Sequence, residues 1–249
     1  YPLADYSLTP TIAIVDPALV MTVPDFVTAD TGMDVLTHAI EAYTSTLAND
    51  YTDGLALQAI KLVFENLESS VKNADFTSRE KMHNASTMAG MAFANAFLGM
   101  SHSMAHKIGG FFHTVHGRTN AILLPYVIRY NGTRPAKAAT WPKYNYYRAD
   151  EKFQDIARML GLPSSTPEEA VDALAKAVYE LGEAVGIEMN FKAQGVNHKE
   201  WLATIHEIAM LAYEDQCSPA NPRLPMVAHM EEILADAYFG YKERPGRLK

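Results

Sequence analysis

Residues 99–120 read GMSHSMAHKIGGFFHTVHGRTN and hold four of the chain's nine histidines: His102, His106, His113 and His116. Their neighbours Met100, Met104, Ile108, Phe111 and Phe112 are apolar. Imidazoles that merely face solvent do not need such surroundings. His102 and His106 stand four residues apart, which on an α-helix puts both on one face. His116 comes fourteen residues after His102, past Gly109-Gly110; a helix closed by a tight turn would return it to His102. Upstream, GMDVLTHAIEAY carries Asp34 and His38 at the same four-residue spacing.

One carboxylate and three neutral imidazoles make an all-N/O ligand set. It suits Fe2+, Zn2+ or Mn2+ rather than Cu(I) or Ca2+. With an open coordination position, such a site does Lewis-acid chemistry. Either four-residue pair alone is a weak signal, because most such pairs are hydrogen-bonded helix neighbours. Here both pairs sit in apolar helical stretches, a third histidine follows a glycine pair, and no cluster of thiols competes. A buried Asp stripped of its partner costs ~3–5 kcal/mol, and a cation at the site removes that cost. His113, His83, His198, His206 and His229 read as solvated or hydrogen-bonded side chains. Gly109-Gly110 reads as a helix terminator rather than a phosphate loop. No G-x-G-x-x-G, Walker, H-E-x-x-H or G-x-S-x-G pattern occurs.

The elements that must position these residues are helical. After a short predicted strand at 11–15 (TIAIV) and the turn-prone Asp16-Pro17, apolar residues recur at helical spacing. Val35, Leu36, Ala39, Ile40 and Tyr43 mark one helix opening at Pro24-Asp25; Leu55, Ile60, Val63, Phe64 and Leu67 mark the next. Residues 77–99 open with a TSRE capping pattern and turn rich in Ala, Met and Phe, which predicts a helix buried on most sides. Helices are also expected at 101–112, at 117–131 with a bend at Pro125, and at 150–160, 166–186, 198–213 and 226–239. The segment 132–149 reads as a surface excursion. The fold class is all-α, with residues 1–23 set apart from a helical unit at 24–249.

Composition limits the partners. The formal net charge is −8 and no dense basic stripe occurs, which argues against nucleic acid. The single Cys217 excludes a disulfide framework. No apolar run reaches the ~18–20 residues needed to span a bilayer, and YPLADYSLTP lacks the features of a signal peptide. The expected location is the cytoplasm. The opening residue is not Met, and the chain is expected to be part of a longer protein.

GMDVLTHAIEAY, FANAFLGMSHSMAHKIGGFFHTVHG, NAILLP and DQCSPANPR, in this order through nearly the whole chain, resemble the iron-dependent (group III) alcohol dehydrogenases. They are most similar to the C-terminal alcohol dehydrogenase region of the bifunctional acetaldehyde-CoA/alcohol dehydrogenases. The resemblance implies that Asp34, His38, His102 and His116 bind the catalytic metal, with Fe2+ favoured and Zn2+ the alternative. It implies that His106 lies near a nicotinamide cofactor (NAD) and helps move the proton, that Leu19 and His116 also meet the cofactor, and that Phe93 and Cys217 line the substrate pocket. Phe97, one helical turn after Phe93, would then narrow that pocket toward two-carbon substrates. The family's α/β cofactor-binding domain, with its Gly-rich phosphate loop, is represented here only by residues 1–23, so the chain by itself is expected to be inactive or nearly so. The expected reaction is the interconversion of acetaldehyde and ethanol, with the metal polarising the carbonyl. The expected partners are the cofactor-binding domain, an aldehyde dehydrogenase domain and further copies in an oligomer or filament.

Two readings compete. In a metal-dependent hydrolase the cation would activate water, with Glu41, one turn after His38, as general base. In a helical assembly module no metal would be needed.

Overall fold

The structure, a computed structural model, describes residues 5–135 and 147–242. The described residues form helices and turns, with no strand. Nine α-helices occur among them: α1 (Asp25–Thr44), α2 (Asp50–Lys72), α3 (Phe76–Ala96), α4 (Met100–Phe112), α5 (His116–Gly132), α6 (Ala149–Met159), α7 (Pro167–Ala184), α8 (His198–Tyr213) and α9 (Val227–Phe239). Short 3-10 turns lie at Tyr6–Leu8, Pro17–Val20 and Ser218–Ala220.

Two helices make the centre. Fourteen of the twenty residues of α1 and thirteen of the seventeen of α5 are buried, so neither presents the half-polar face of a surface helix. They pack on each other; α2 and α3 cover α1, and α4, α7 and α9 cover α5. α8 closes the far side against α4 and α9. Their contact is closest where α5 begins. A Cβ on Gly117 would stand 2.2 Å from the Asp30 carbonyl oxygen and 3.0 Å from Asp34 Cβ, so only glycine allows the backbones to meet there.

Several elements depart from their expected form. Residues 11–15 are not a strand: they run without ladder partners, and Ile12 and Ile14 are 79% and 83% exposed, since a strand exists only by pairing. α3 is not buried on most sides. Its buried positions, Ser78, Arg79, Met82, Ala85, Ala89, Ala92 and Ala96, form one stripe at helical spacing, and the small alanines let α2 approach closely. Its cap is Asp75 rather than the TSRE serine or threonine: Asp75 Oδ1 accepts the Ser78 N–H at 2.9 Å. The glycine pair does not stop α4. The helix runs through Gly109 and Gly110 to Phe112, and His113 ends it in the left-handed conformation at φ 53°. α5 continues through Pro125 to Gly132. Most of the expected surface excursion, residues 136–146, lies outside the described residues.

Two polar fastenings hold the connections. Arg79, 2% exposed, donates from its two terminal nitrogens to the carbonyls of Val20 and Val23, both at 3.0 Å, fixing the segment before α1 to α3. Asn221 exchanges amide hydrogen bonds with Asn131 on α5 (2.7 and 3.1 Å) and accepts the Met100 N–H at the start of α4 (3.2 Å).

Candidate metal centre

α1, α4 and the first residue of α5 bring the predicted ligands together. Asp34 and His38 sit one turn apart on α1, with His38 Nδ1 3.8 Å from Asp34 Oδ2. His102, in the first turn of α4, has Nε2 3.7 Å from Asp34 Oδ1. His116, which opens α5, has Nε2 3.6 Å from the same oxygen. The rings of His38 and His102 stack at 4.5 Å, and those of His102 and His116 lie 5.4 Å apart. Asp34, His38 and His102 each offer one ligand atom within 4.8 Å of the others.

The site fits a cation on the evidence of one atom. His102 is 1% exposed, and its Nδ1 lies 2.7 Å from Glu41 Oε2. Glu41 also accepts the Gly99 N–H at 2.9 Å and the Ser101 N–H at 2.7 Å. With its acceptor oxygens facing Nδ1, Glu41 sets that nitrogen as the proton-bearing one. The lone pair of Nε2 is then left facing Asp34, buried and without a hydrogen-bond partner. A lone pair and a carboxylate oxygen 3.7 Å apart make no hydrogen bond, whereas ligands each ~2.1 Å from a shared ion stand up to ~4.2 Å apart. A carboxylate–imidazole pair behind a ligand is the usual way a metal-binding histidine is oriented.

The remaining polar groups support the same arrangement. Burial, then the neighbouring His102, pushes the His38 imidazole down to about 4, and burial lowers His116 as well. Both are therefore neutral near pH 7 and ready to ligate. Asn120, fully buried, accepts from Ser101 Oγ at 3.2 Å, which turns its amide nitrogen toward Asp34 Oδ1 (2.8 Å) and His116 Nε2 (3.2 Å); the Asp34 oxygen keeps a second lone pair for an ion, whereas His116 Nε2 would exchange its contact with Asn120 for the ion.

The other predicted site residues divide. The Phe93 ring stacks on His38 at 4.5 Å. His106 stacks on His116 at 5.4 Å and 11°. Cys217 is buried, burial raises its thiol, and it lies with His106 and Asp215 within 4.8 Å. That second group is a hydrogen-bonded cluster, since Asp215 already accepts from Lys107 at 2.7 Å and faces His106 Nδ1 at 3.2 Å. Phe97 is the residue that ends α3: its N–H still donates to the Phe93 carbonyl one turn back at 2.7 Å, and its backbone stands at φ 64° and ψ −173°. Leu19, in the Pro17–Val20 turn, is 73% exposed. His83, His113, His198, His206 and His229 do not join the cluster; His206 pairs with Glu231, and His229 with Tyr130.

Sequence reasoning missed Asn120 and Asp215 and assigned Glu41 the wrong task. Glu41 is 3% exposed and is engaged by the Gly99 and Ser101 N–H groups and by His102 Nδ1, which buries it behind His102 on the side remote from Nε2, and the hydrolase reading loses its general base. A signal existed: Glu41 follows Asp34 by seven residues and so shares its helix face.

The matched region spans residues 28–238, which fit the model of the Fe-containing alcohol dehydrogenase family, C-terminal. This chain belongs to the Fe-containing alcohol dehydrogenase family. Over its full length it is 82% identical to an aldehyde-alcohol dehydrogenase of Streptococcus pneumoniae serotype 2 (strain D39) and spans 28% of that relative. Among solved structures, the iron-containing alcohol dehydrogenase of Thermococcus thioreducens superposes with a TM-score of 0.82 at 34% identity, covering 95% of this chain and 57% of that one. The sulfoacetaldehyde reductase of Bifidobacterium kashiwanohense, solved with NAD+, superposes with a TM-score of 0.74 at 28% identity, covering 92% and 55%. Within this family the all-helical fold is that of the C-terminal domain. No helix among the described residues is long and apolar enough to cross a membrane.

Proposed function

We propose that this chain is the metal-binding half of an alcohol dehydrogenase that interconverts small aldehydes and alcohols, acetaldehyde and ethanol among them, using a nicotinamide cofactor. The observation that carries the reading is the buried, unpartnered Nε2 of His102 aimed at Asp34. Family membership, the aldehyde-alcohol dehydrogenase relative and the NAD+-bound neighbour supply the reaction class.

Asp34, His38, His102 and His116 would hold the ion, Fe2+ in preference to Zn2+. Bound there, a divalent cation supplies Lewis acidity to a substrate oxygen. Phe93, stacked on His38, walls one side of the substrate space, with Cys217 and Phe97 as further lining. His106 exchanges the proton of the substrate hydroxyl at its Nε2. Leu19, His106 and His116 face the cofactor. Residues 1–23 are the end of a cofactor-binding domain, and 24–249 the helical catalytic domain. Arg79 keeps the junction between them in place through Val20 and Val23. The longer protein carries an aldehyde dehydrogenase part, assembles into homo-oligomers or filaments and works in the cytoplasm.

Element-resolved metal analysis of the purified chain tests this directly. About one Fe2+ or Zn2+ per chain is expected, falling to background in His102→Ala and Asp34→Ala. In the longer protein, reduction of acetaldehyde with oxidation of a reduced nicotinamide should vanish in the same variants. A chain that binds no divalent ion in either form would end the proposal.

A further inference from the structure

One buried carboxylate beside the site has no role in holding the ion. Asp215 lies in the turn after α8, with its side chain 2% exposed. Its Oδ2 faces His106 Nδ1 at 3.2 Å and accepts from Lys107 Nζ at 2.7 Å, and its Oδ1 accepts the Cys217 N–H at 3.0 Å. The turn is fastened to α4 independently, through Ser218 Oγ 2.9 Å from Ser103 Oγ. Asp215 and His106 are therefore held in register by contacts that do not involve either of them.

We propose that Asp215 is a positioning residue that fixes the tautomer of His106, so that Nδ1 carries the proton and Nε2 is left as the acceptor that meets the substrate hydroxyl. The inference rests on the reading of His106 as the proton-exchanging group. Burial alone would raise the Asp215 carboxyl, but the hydrogen bonds from His106, Lys107 and the Cys217 backbone outweigh it and hold the group well below the usual carboxylate range. An ionised carboxylate only accepts, so Nδ1 must donate to it. A neutral imidazole then has one acceptor left, Nε2, at the ring edge remote from Asp215 and on a ring stacked over His116. Glu41 does the same for His102. Two of the clustered histidines thus each have a carboxylate behind Nδ1, one leaving Nε2 for the ion and the other leaving it for a proton.

The tautomer is read from long-range proton–nitrogen spectra of the 15N-histidine-labelled chain loaded with diamagnetic Zn2+. In the unaltered chain His106 should be protonated at Nδ1 and bare at Nε2. In Asp215→Asn the amide N–H groups can face Nδ1, and the proton should move to Nε2; Asp215→Glu should restore it. In the longer protein, Asp215→Asn should lower kcat by ~10^2–10^4-fold, leaving KM for the alcohol and the bound metal within about twofold. His106 protonated at Nε2 in the unaltered chain overturns the proposal even if no variant folds. So does an unchanged tautomer in Asp215→Asn, a kcat within threefold, or a loss of metal that shows Asp215 to be merely structural. If the unaltered longer protein reduces no aldehyde, the functional reading fails, and the tautomer spectra still decide the role of Asp215.

Discussion

At His102 the two ring nitrogens have opposite surroundings. Nδ1 is satisfied by Glu41 at 2.7 Å, while Nε2 is buried with no partner. Leaving a buried acceptor unpaired costs ~1–3 kcal/mol, a cost that an ion at Nε2 would remove. Glu41→Ala should remove the group that orients the ring and strand the N–H groups of Gly99 and Ser101. Metal affinity, measured by competition with a chelator, should fall by ~10–100-fold. Gly117 sets the position of His116. With the Asp30 carbonyl oxygen 2.2 Å from where a Cβ would stand, Gly117→Ala must push the start of α5 off α1. The expected result is a loss of ~1–3 kcal/mol in stability together with weaker metal binding, read by chemical denaturation and by metal analysis of the same sample. A weaker fold with unchanged metal affinity would mean that His116 does not depend on that close approach.

Among the elements, α3 shows how local signals set a boundary. Its carboxylate cap accepts from Ser78 through backbone and side chain and from Ser69, and these bonds lower the Asp75 carboxyl from 3.8 to about 2. The folded value lies below the unfolded one, so the stabilisation is complete above about pH 4 and is lost as pH falls through about 2. Asp75→Asn can still accept at the cap but does not titrate. Between pH 5 and 3 the unaltered chain should therefore lose more stability than Asp75→Asn, and equal losses would show that the cap does not carry the charge effect. The exposed position keeps the difference modest. At the other end of α3, Phe97 occupies a backbone region that is essentially glycine-only, at a general cost of ~1–3 kcal/mol. That turn delivers the chain into Gly99, where a Cβ would meet Glu41 Oε1 at 2.9 Å, so the strained turn lies beside the carboxylate that orients His102.

For the molecule as a whole, the proposed ion would add a polar link among α1, α4 and α5, of which α1 and α4 already pack on α5. In the proposed site α1 would supply two ligands, α4 one and α5 one, so an ion that binds only the folded chain would stabilise it by mass action. At a free ion concentration ~100 times the dissociation constant the gain is ~2.7 kcal/mol, or ~5–10 °C in Tm for a chain of this size. Stripping the metal with a chelator should lower Tm by about that amount, and His102→Ala should show no such response. The Asn221–Asn131 amide pair and its bond to the Met100 N–H hold α4 against α5 without the ion. The stripped chain should accordingly keep its helical circular dichroism below its new Tm.

The ligand types, their four-residue spacings and most helix spans are readable from the sequence, because helical periodicity is a local property. The helices at 198–213 and 227–239 fall almost where the apolar pattern puts them. The family resemblance likewise rests on short ordered motifs. Tertiary structure alone decided which polar groups stand behind the ligands. His106 meets Asp215 across 109 positions of chain, His102 meets Glu41 across 61, and Asp34 meets Asn120 across 86. A hydrogen-bond partner at such separation depends on how α1, α4, α5 and the turn after α8 pack, and no local pattern encodes that packing. The same reason explains why residues 11–15 form no strand: pairing is a relation between segments rather than a property of one.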